Sequence, residues 1–543
     1  MEINEKIFFS KSLVHYFTIL VYSFLTHCLI LLIDGIYWDD WVLYFNLINK
    51  NWLHLKTFDA EMGGLPVGYY LLYLVGHIPY TLFVFKILTF ASISLSGCLI
   101  FYMCNRITIL SEKDSLLIAL IFIGYPSFQL SFMLSTSTYW IWYFIFLLAC
   151  FFAIQSTLAS GILKFSLVLI SLILFSISFR VGSLLVIYFG FLFYFFNMKF
   201  GEVQKISINS LLDNIFFKSY YVIFPFVYFF SIKKFFPSSG VYATYNKINI
   251  IDLEGILNAF LYFIKNSIID QVTRSIFFAS TIWFIFIFVA IFSFAIAKFI
   301  YSRRDYYESI RSVYLPLLLF GLYLLFLSIF PYAVVLKYPH DTGVETRHSI
   351  LIGLPMALIL ISFIKSISKR SYILKDFFLI SMIISFSLIS INNYFTWQAH
   401  WIKDKSTIQH LKILDPKDYS IFWIKDDVVI KDTEPWHQYY AYSGMFRYAW
   451  GGSSRIGLDI RDKNFYQKWI INEGRKYFQI KRYNLFNLNV YGKQALLSIS
   501  EGVYPKKLGR IKMDLMYWYY KYFNPKKIKN FLLKLTTVTI KTI

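Results

Sequence analysis

The sequence predicts a mainly α-helical, polytopic membrane protein, a bundle of about 11 spans followed by a C-terminal exterior α+β domain. Three observations carry that expectation. The chain is 57% hydrophobic and 15% charged, with a mean hydropathy of +0.56; globular chains are about 45–50% apolar and about 25% charged. Apolar runs of about 20 residues, the length that crosses a bilayer, recur as far as residue 391 and then cease. The net charge of +22 lies mainly between those runs. That placement marks loops at anionic membrane surfaces rather than the continuous basic face of a nucleic-acid binder, so membrane lipids are expected partners and nucleic acid is not.

The first apolar run, 13–33, follows Lys6 and Lys11 and resembles a secretory signal. It is about 21 residues long, against about 7–15 for a signal core, and no small-x-small cleavage motif follows. It therefore reads as a retained first span. The segment 65–79 is too short to cross and ends in Pro79, so it reads as an interfacial or re-entrant helix. Further spans are expected near 81–103, 115–133, 139–155, 162–179, 181–197, 218–236, 275–297, 313–333, 349–364 and 374–391. With the N-terminus inside, the inner segments hold about 16 Lys and Arg and the outer loops about 10, which favours that orientation. Lys233 and Lys234 fall on the wrong side of this map.

The chain thus divides into a multi-span domain, 1–391, an exterior domain, 392–504, and a basic aromatic tail, 505–543. Alternating residues at 419–424, 428–430 and 485–490 predict short strands among helices. The tail carries ten Lys and Arg against one acid, Asp514, around an aromatic run, and reads either as an interfacial amphipathic helix or as a solvated basic tail. The four cysteines, Cys28, Cys98, Cys104 and Cys150, all lie in apolar stretches and offer neither a disulfide framework nor a thiolate metal site.

The most informative stretch is Asp34-Gly-Ile-Tyr-Trp-Asp-Asp-Trp-Val-Leu-Tyr44, at the start of the exterior loop 34–64. It sets three carboxylates beside Trp38 and Trp41 where an aromatic belt meets water. Carboxylates at this level are costly to desolvate and usually serve a cation, a substrate or a proton transfer. The purely structural alternative is that Asp34 and Asp39 cap a helix which the tryptophans anchor, but capping needs one acid and here two are adjacent. Asp59 and Glu61 add further acid before Gly63-Gly-Leu-Pro66.

An acidic pair just after the first span, followed by a Gly/Pro-containing interfacial segment, resembles the GT-C superfamily of integral-membrane glycosyltransferases. The likeness covers the multi-span architecture, the Asp39-Asp40 pair and an exterior C-terminal domain. It implies a sugar taken from a polyprenyl-phosphate donor and passed to an envelope glycan or lipid acceptor, on the periplasmic face of a bacterial inner membrane. It also implies that Asp39 or Asp40 is the catalytic base. If the pair is helical, neighbours point about 100° apart, so one faces the substrate; Asp40 is the preferred base, with Asp39 orienting it or helping to hold a cation. Oxygen ligands suit magnesium or manganese, but two carboxylates are too few to define a metal centre.

The departing phosphate needs positive charge, and the loop His340-Asp-Thr-Gly-Val-Glu-Thr-Arg-His348 supplies it on the same predicted face. Arg347 can pair with phosphate in bidentate fashion, and His348 can donate a hydrogen bond beside Glu345. Arg180 and Arg274 are further candidates, with snorkelling to the interface as the alternative for each. Trp38 and Trp41 complete the predicted substrate-binding set. In the exterior domain, the aromatic stretches 434–442 and 447–452 suit either a small core or the stacking of a saccharide. Two other functions fit the architecture: a polymerase or ligase of lipid-linked surface polysaccharide, expected to use arginine-rich outer loops, and a non-enzymatic transporter of lipid-linked glycan, expected to bury charge at mid-membrane.

Overall fold

In the structure, a computed structural model, the residues described are 2–106, 110–178, 219–243, 247, 251–281, 287, 291, 314–367, 372–430, 433, 437–452, 454–461, 492–503 and 508–543. Helices dominate. The amino-terminal part contains α1 (Glu2–His27), α2 (Asp40–Ile48), α3 (Trp52–Glu61), α4 (Val67–Gly76), α5 (Thr81–Asn105), α6 (Glu112–Gly124), α7 (Leu134–Leu158), α8 (Gly161–Ser178) and α9 (Ser219–Phe235). Then follow α10 (Leu253–Tyr262), the π-helix Phe263–Ile269, α11 (Asp270–Thr281), α12 (Tyr314–Ala333), the 3-10 helix Val344–Ile352, α13 (Gly353–Ile367) and α14 (Tyr372–Leu411). The C-terminal region holds β1 (Tyr419–Asp426), α15 (Tyr439–Trp450), β2 (Ile456–Asp459), β3 (Lys493–Glu501), α16 (Leu508–Phe523), α17 (Pro525–Leu533) and β4 (Thr536–Thr542).

Among the described residues six helical segments are long and apolar enough to cross a membrane: Thr81–Asn105, Leu134–Leu158, Gly161–Ser178, Tyr314–Ala333, Val344–Ser366 and Ile373–Leu411. Among the described residues the expected count of about 11 is not confirmed. The apolar run 115–133 is not one helix, because α6 stops at Gly124 ahead of Pro126 and the chain continues as buried irregular backbone. Helix α1 has 26 residues and is followed after Cys28 by a further helical turn, Leu29–Leu32, so the first run is helical almost throughout. The expected span 181–197 and most of 275–297 lie outside the described residues. The segment 65–79 does contain a short helix, α4, whose first turn is tied down where Tyr69 N donates to Asp59 Oδ2 at 3.0 Å.

Hydrogen bonds between distant loops gather one end of the bundle. Gly64 N donates to Phe236 O, Ser239 N donates to Glu61 O, and Tyr37 Oη donates to Trp397 O at 2.9 Å. Gln129, between α6 and α7, donates to the carbonyl of Asp341 at 2.9 Å. At the opposite end a neutral quartet of buried charges joins four helices. Lys365 Nζ of α13 lies 3.1 Å from Asp114 of α6 and 2.9 Å from Asp376 of α14; Tyr314 of α12 donates to Asp114, and Lys375 donates to the carbonyl of Lys365.

Helix α14 joins the bundle to the C-terminal domain. Its 40 residues span about 60 Å, twice a hydrocarbon core of about 30 Å, so residue 391 falls inside a continuous helix. The sheet order is β2-β1-β3-β4, with β1 parallel to β2 and β3, and β3 antiparallel to β4. Parallel β1 and β2 need a crossover, and α15 provides it. The strand expected at 419–424 is thus present as β1; 428–430 forms no strand, and 485–490 lies outside the described residues.

The basic tail is built into this domain. Met513, Tyr517, Trp518, Leu532 and Leu535 pack with Ala399 and Ile402 of α14, and β4 closes the sheet. The opposite face of α16, with Leu515, Tyr519, Tyr522 and Phe523, stays exposed. Asp514 is fully buried on α16, and neither carboxylate oxygen has a hydrogen-bond partner. Burial pushes its pKa up to about 9 against the opposing charge of Arg510. A carboxyl raised from 3.8 in this way contributes stability that is fully present below pH 3.8 and lost as pH rises through about 9. Between those limits the wild type should lose ~1.4 kcal/mol per pH unit relative to Asp514→Asn. Unfolding midpoints of the two full-length proteins in detergent, compared from pH 6 to 9, check this; parallel profiles would contradict it.

Candidate active site

The acidic first loop is placed by its aromatic residues. Trp41 is fully buried, with ring centroids 6.2 Å from Phe45, 6.1 Å from Trp401 and 6.4 Å from Tyr448. It sits so close to α15 that a Cβ at Gly444 would lie 2.7 Å from its ring, which is why that helix carries glycine there. Trp41 therefore joins the loop to α14 and the C-terminal domain. Its indole is 0% exposed and is taken up by this packing.

Asp40, only 2% exposed, faces the start of α7. Its Oδ2 accepts from Leu134 N at 3.0 Å and its Oδ1 from Ser135 N at 2.8 Å. These are two of the backbone donors that a helix N-terminus leaves without internal partners, and Met133, the N-cap residue, makes no side-chain cap. Burial raises the Asp40 pKa to about 6, and the hydrogen bonds from Ser135 and Leu134 oppose it. Asp39 is half-buried at the N-cap of α2, and its side chain does not cap that helix. Asp34 serves as an anchor: Tyr517 Oη donates to it at 2.9 Å and Lys521 Nζ lies 3.1 Å away, fastening α16 to the loop.

The 340–348 corner meets this loop directly. The Arg347 guanidinium lies 4.6 Å from the centroid of the Trp38 ring, a cation–π contact. Trp38 has a φ of 44°, a left-handed conformation that costs a bulky residue about 1–3 kcal/mol and is characteristic of sites where orientation matters. Arg347 Nη2 also donates to Glu345 at 3.1 Å, and His348 Nε2 lies 2.8 Å from the same carboxylate. Glu345 thus orients both side chains, and the Tyr332 ring lies 5.3 Å from His348.

Arg274 belongs to the same region in a supporting position. Its Nη1 donates to the Asp341 carbonyl at 2.8 Å, the oxygen that also accepts from Gln271 and Gln129. The π-helix before α11 carries Asn266, which donates to Pro339 O at 2.7 Å. A wide helical turn of this kind is rare and often marks functional regions. The structure therefore joins Trp38, Arg347, His348, Glu345 and Arg274, with Asp39 and Asp40 next in sequence to Trp38. Arg180 lies outside the described residues.

Sequence reasoning missed two groups. Lys405, Lys521 and the buried Lys86 surround Asp34 electrostatically. Lys86 sits within an apolar span and Lys521 in the tail, so only three-dimensional packing unites them. His400, Asp404 and His437 form a second buried cluster. Its one sequence signal is the four-residue spacing on a helix, which a search for paired carboxylates passes over. The aromatic stretch from Tyr439 to Tyr442 is core: Tyr439, Tyr440 and Tyr442 are buried beneath the sheet domain. No family model, curated protein or solved structure matches this chain.

Proposed function

We propose that the protein is a GT-C-like glycosyltransferase that moves a sugar from a polyprenyl-phosphate donor to an envelope glycan or lipid acceptor at the non-cytoplasmic face of a bacterial inner membrane. The observation that carries the proposal is the Trp38–Arg347 contact at 4.6 Å, which sets an acidic loop against a cationic corner where membrane-capable helices end. Transfer requires both: a carboxylate takes the acceptor hydroxyl's proton as its oxygen attacks the anomeric carbon, and cations stabilise the departing lipid phosphate.

In this reading Asp39 is the base and Asp40 the positioning residue, the reverse of the order favoured by sequence. Asp40 is committed to two backbone donors of α7, whereas Asp39 is the less buried of the pair. Arg347, held flat by Trp38 and Glu345, receives the phosphate, and His348 supplies a further donor. Arg274 acts through the corner loop that it pins.

Transfer assays on the purified full-length chain with a panel of polyprenyl-phosphate sugars test the proposal. The wild type should form product with at least one donor, and Arg347→Ala should lower kcat/KM for that donor by roughly 10–100-fold, the loss of a charge-assisted phosphate contact. Absence of product with every donor, or unchanged kinetics in Arg347→Ala, would count against it.

A further inference from the structure

We propose that His400, Asp404 and His437 form a binding site for one divalent transition-metal ion, with zinc the preferred occupant. The inference is independent of the transferase reading and concerns the junction between α14 and the C-terminal domain. His400 and Asp404 are four residues apart on α14 and so share a helix face. His437, just before α15, reaches the same point from the other element. One ligand atom from each residue can be chosen such that all three lie within 4.8 Å of one another.

The cluster is buried and incompletely satisfied by protein groups. His437 Nε2 lies 2.9 Å from Asp404 Oδ1, which accounts for one carboxylate oxygen. The other, Oδ2, is 3.7 Å from His400 Nδ1, and both of these atoms are buried without a hydrogen-bond partner. His400 is 4% exposed and Asp404 1%. Native interiors seldom tolerate such orphaned polar atoms, and two that face each other suit a shared ligand. A zinc ion with bonds of about 2.0–2.2 Å would draw its ligands to roughly 3.4 Å apart, between the 2.9 and 3.7 Å that now separate the two imidazoles from the carboxylate oxygens.

The donor set selects the class of ion. Two imidazoles and one carboxylate favour zinc and neighbouring first-row metals; magnesium and calcium prefer oxygen alone. Three protein ligands leave a fourth corner for water. The rings of Tyr37, Trp397 and Tyr442 wall the site at centroid distances of 6.2, 5.7 and 5.1 Å from the nearer histidine. The adjacent cation Lys403 is neutralised by Asp426. Binding requires His437 Nε2 to surrender the hydrogen-bonding position it now shares with Asp404. The ion then replaces that bond and clamps the long helix to α15.

The test uses the full-length chain, purified in detergent with a tag other than polyhistidine. Elemental analysis should find close to one zinc per chain, or uptake of one equivalent from added Zn²⁺. Cobalt substitution should give the visible absorption of a low-symmetry site. Asp404→Asn and His400→Ala should each weaken zinc binding at least tenfold, and Zn²⁺ should raise the unfolding midpoint of the wild type but not of His400→Ala. Absence of stoichiometric zinc and of uptake by the wild type would overturn the proposal, even if the variants fail to fold. So would folded variants that bind zinc as the wild type does.

Discussion

On the proposed transferase reading, Asp39→Asn should lower sugar transfer by roughly 10²–10⁴-fold, the usual contribution of a general base, with little change in folding. The expectation follows from the division of labour between two neighbouring carboxylates. Asp40 spends both oxygens on Leu134 N and Ser135 N, whereas Asp39 is half-buried and does not cap its own helix. An amide at position 40 presents one acceptor where two are used and opposes an N–H to an N–H. Leaving a buried donor unmatched costs about 1–3 kcal/mol. Asp40→Asn should therefore lose stability and turnover together, while Asp39→Asn loses turnover alone. Turnover at saturating donor, measured beside unfolding midpoints, separates the two. Full turnover in Asp39→Asn would remove that residue from the chemistry.

Lys365→Met should destabilise the bundle by about 3–5 kcal/mol, because it leaves Asp114 and Asp376 buried without their shared cation. The side chains of all three are at most 6% exposed, so water cannot replace the lost partner. Adding Asp376→Asn to Lys365→Met, which leaves one buried carboxylate against the one buried cation Lys375, should recover part of the loss. Unfolding midpoints and yields of the single and double variants in detergent provide the measurement. A Lys365→Met protein as stable as the wild type would show that the quartet is not a structural tie. The quartet lies at the end of the bundle opposite the proposed active site, so these variants test the scaffold separately from catalysis.

The contrast between what was legible and what was not follows from the range of the interactions. Local signals located several elements: hydropathy marked the principal apolar helices, the short segment after Pro66 is helical, and alternation at 419–424 marks β1, although the same signal at 428–430 gave no strand. Run length alone took 115–133 for one span, whereas the helix stops at Gly124 ahead of Pro126. Lysines counted as topology signals had other uses, and Lys365 is a buried ion partner. Trp41 has the sequence context of a belt tryptophan, yet α14 and α15 enclose it. Asp40 shows no local sign that it caps a helix starting almost a hundred residues later. The tail has the composition of a membrane-surface segment, but β4 pairs with β3 and α16 is fastened to Asp34. Each of these contacts joins residues far apart in the chain, beyond the reach of periodicity and composition.

The meeting of the first loop with the 340–348 corner underlies the proposed function, and paired cysteines at positions 38 and 347 test it most directly. In a background with Cys28, Cys98, Cys104 and Cys150 replaced, Trp38→Cys and Arg347→Cys should be joined by a short bifunctional thiol reagent in intact membranes. Taken singly, each cysteine should react with a membrane-impermeant maleimide from the same, non-cytoplasmic side. Failure to cross-link, or labelling of the two positions from opposite sides of the membrane, would contradict a common site.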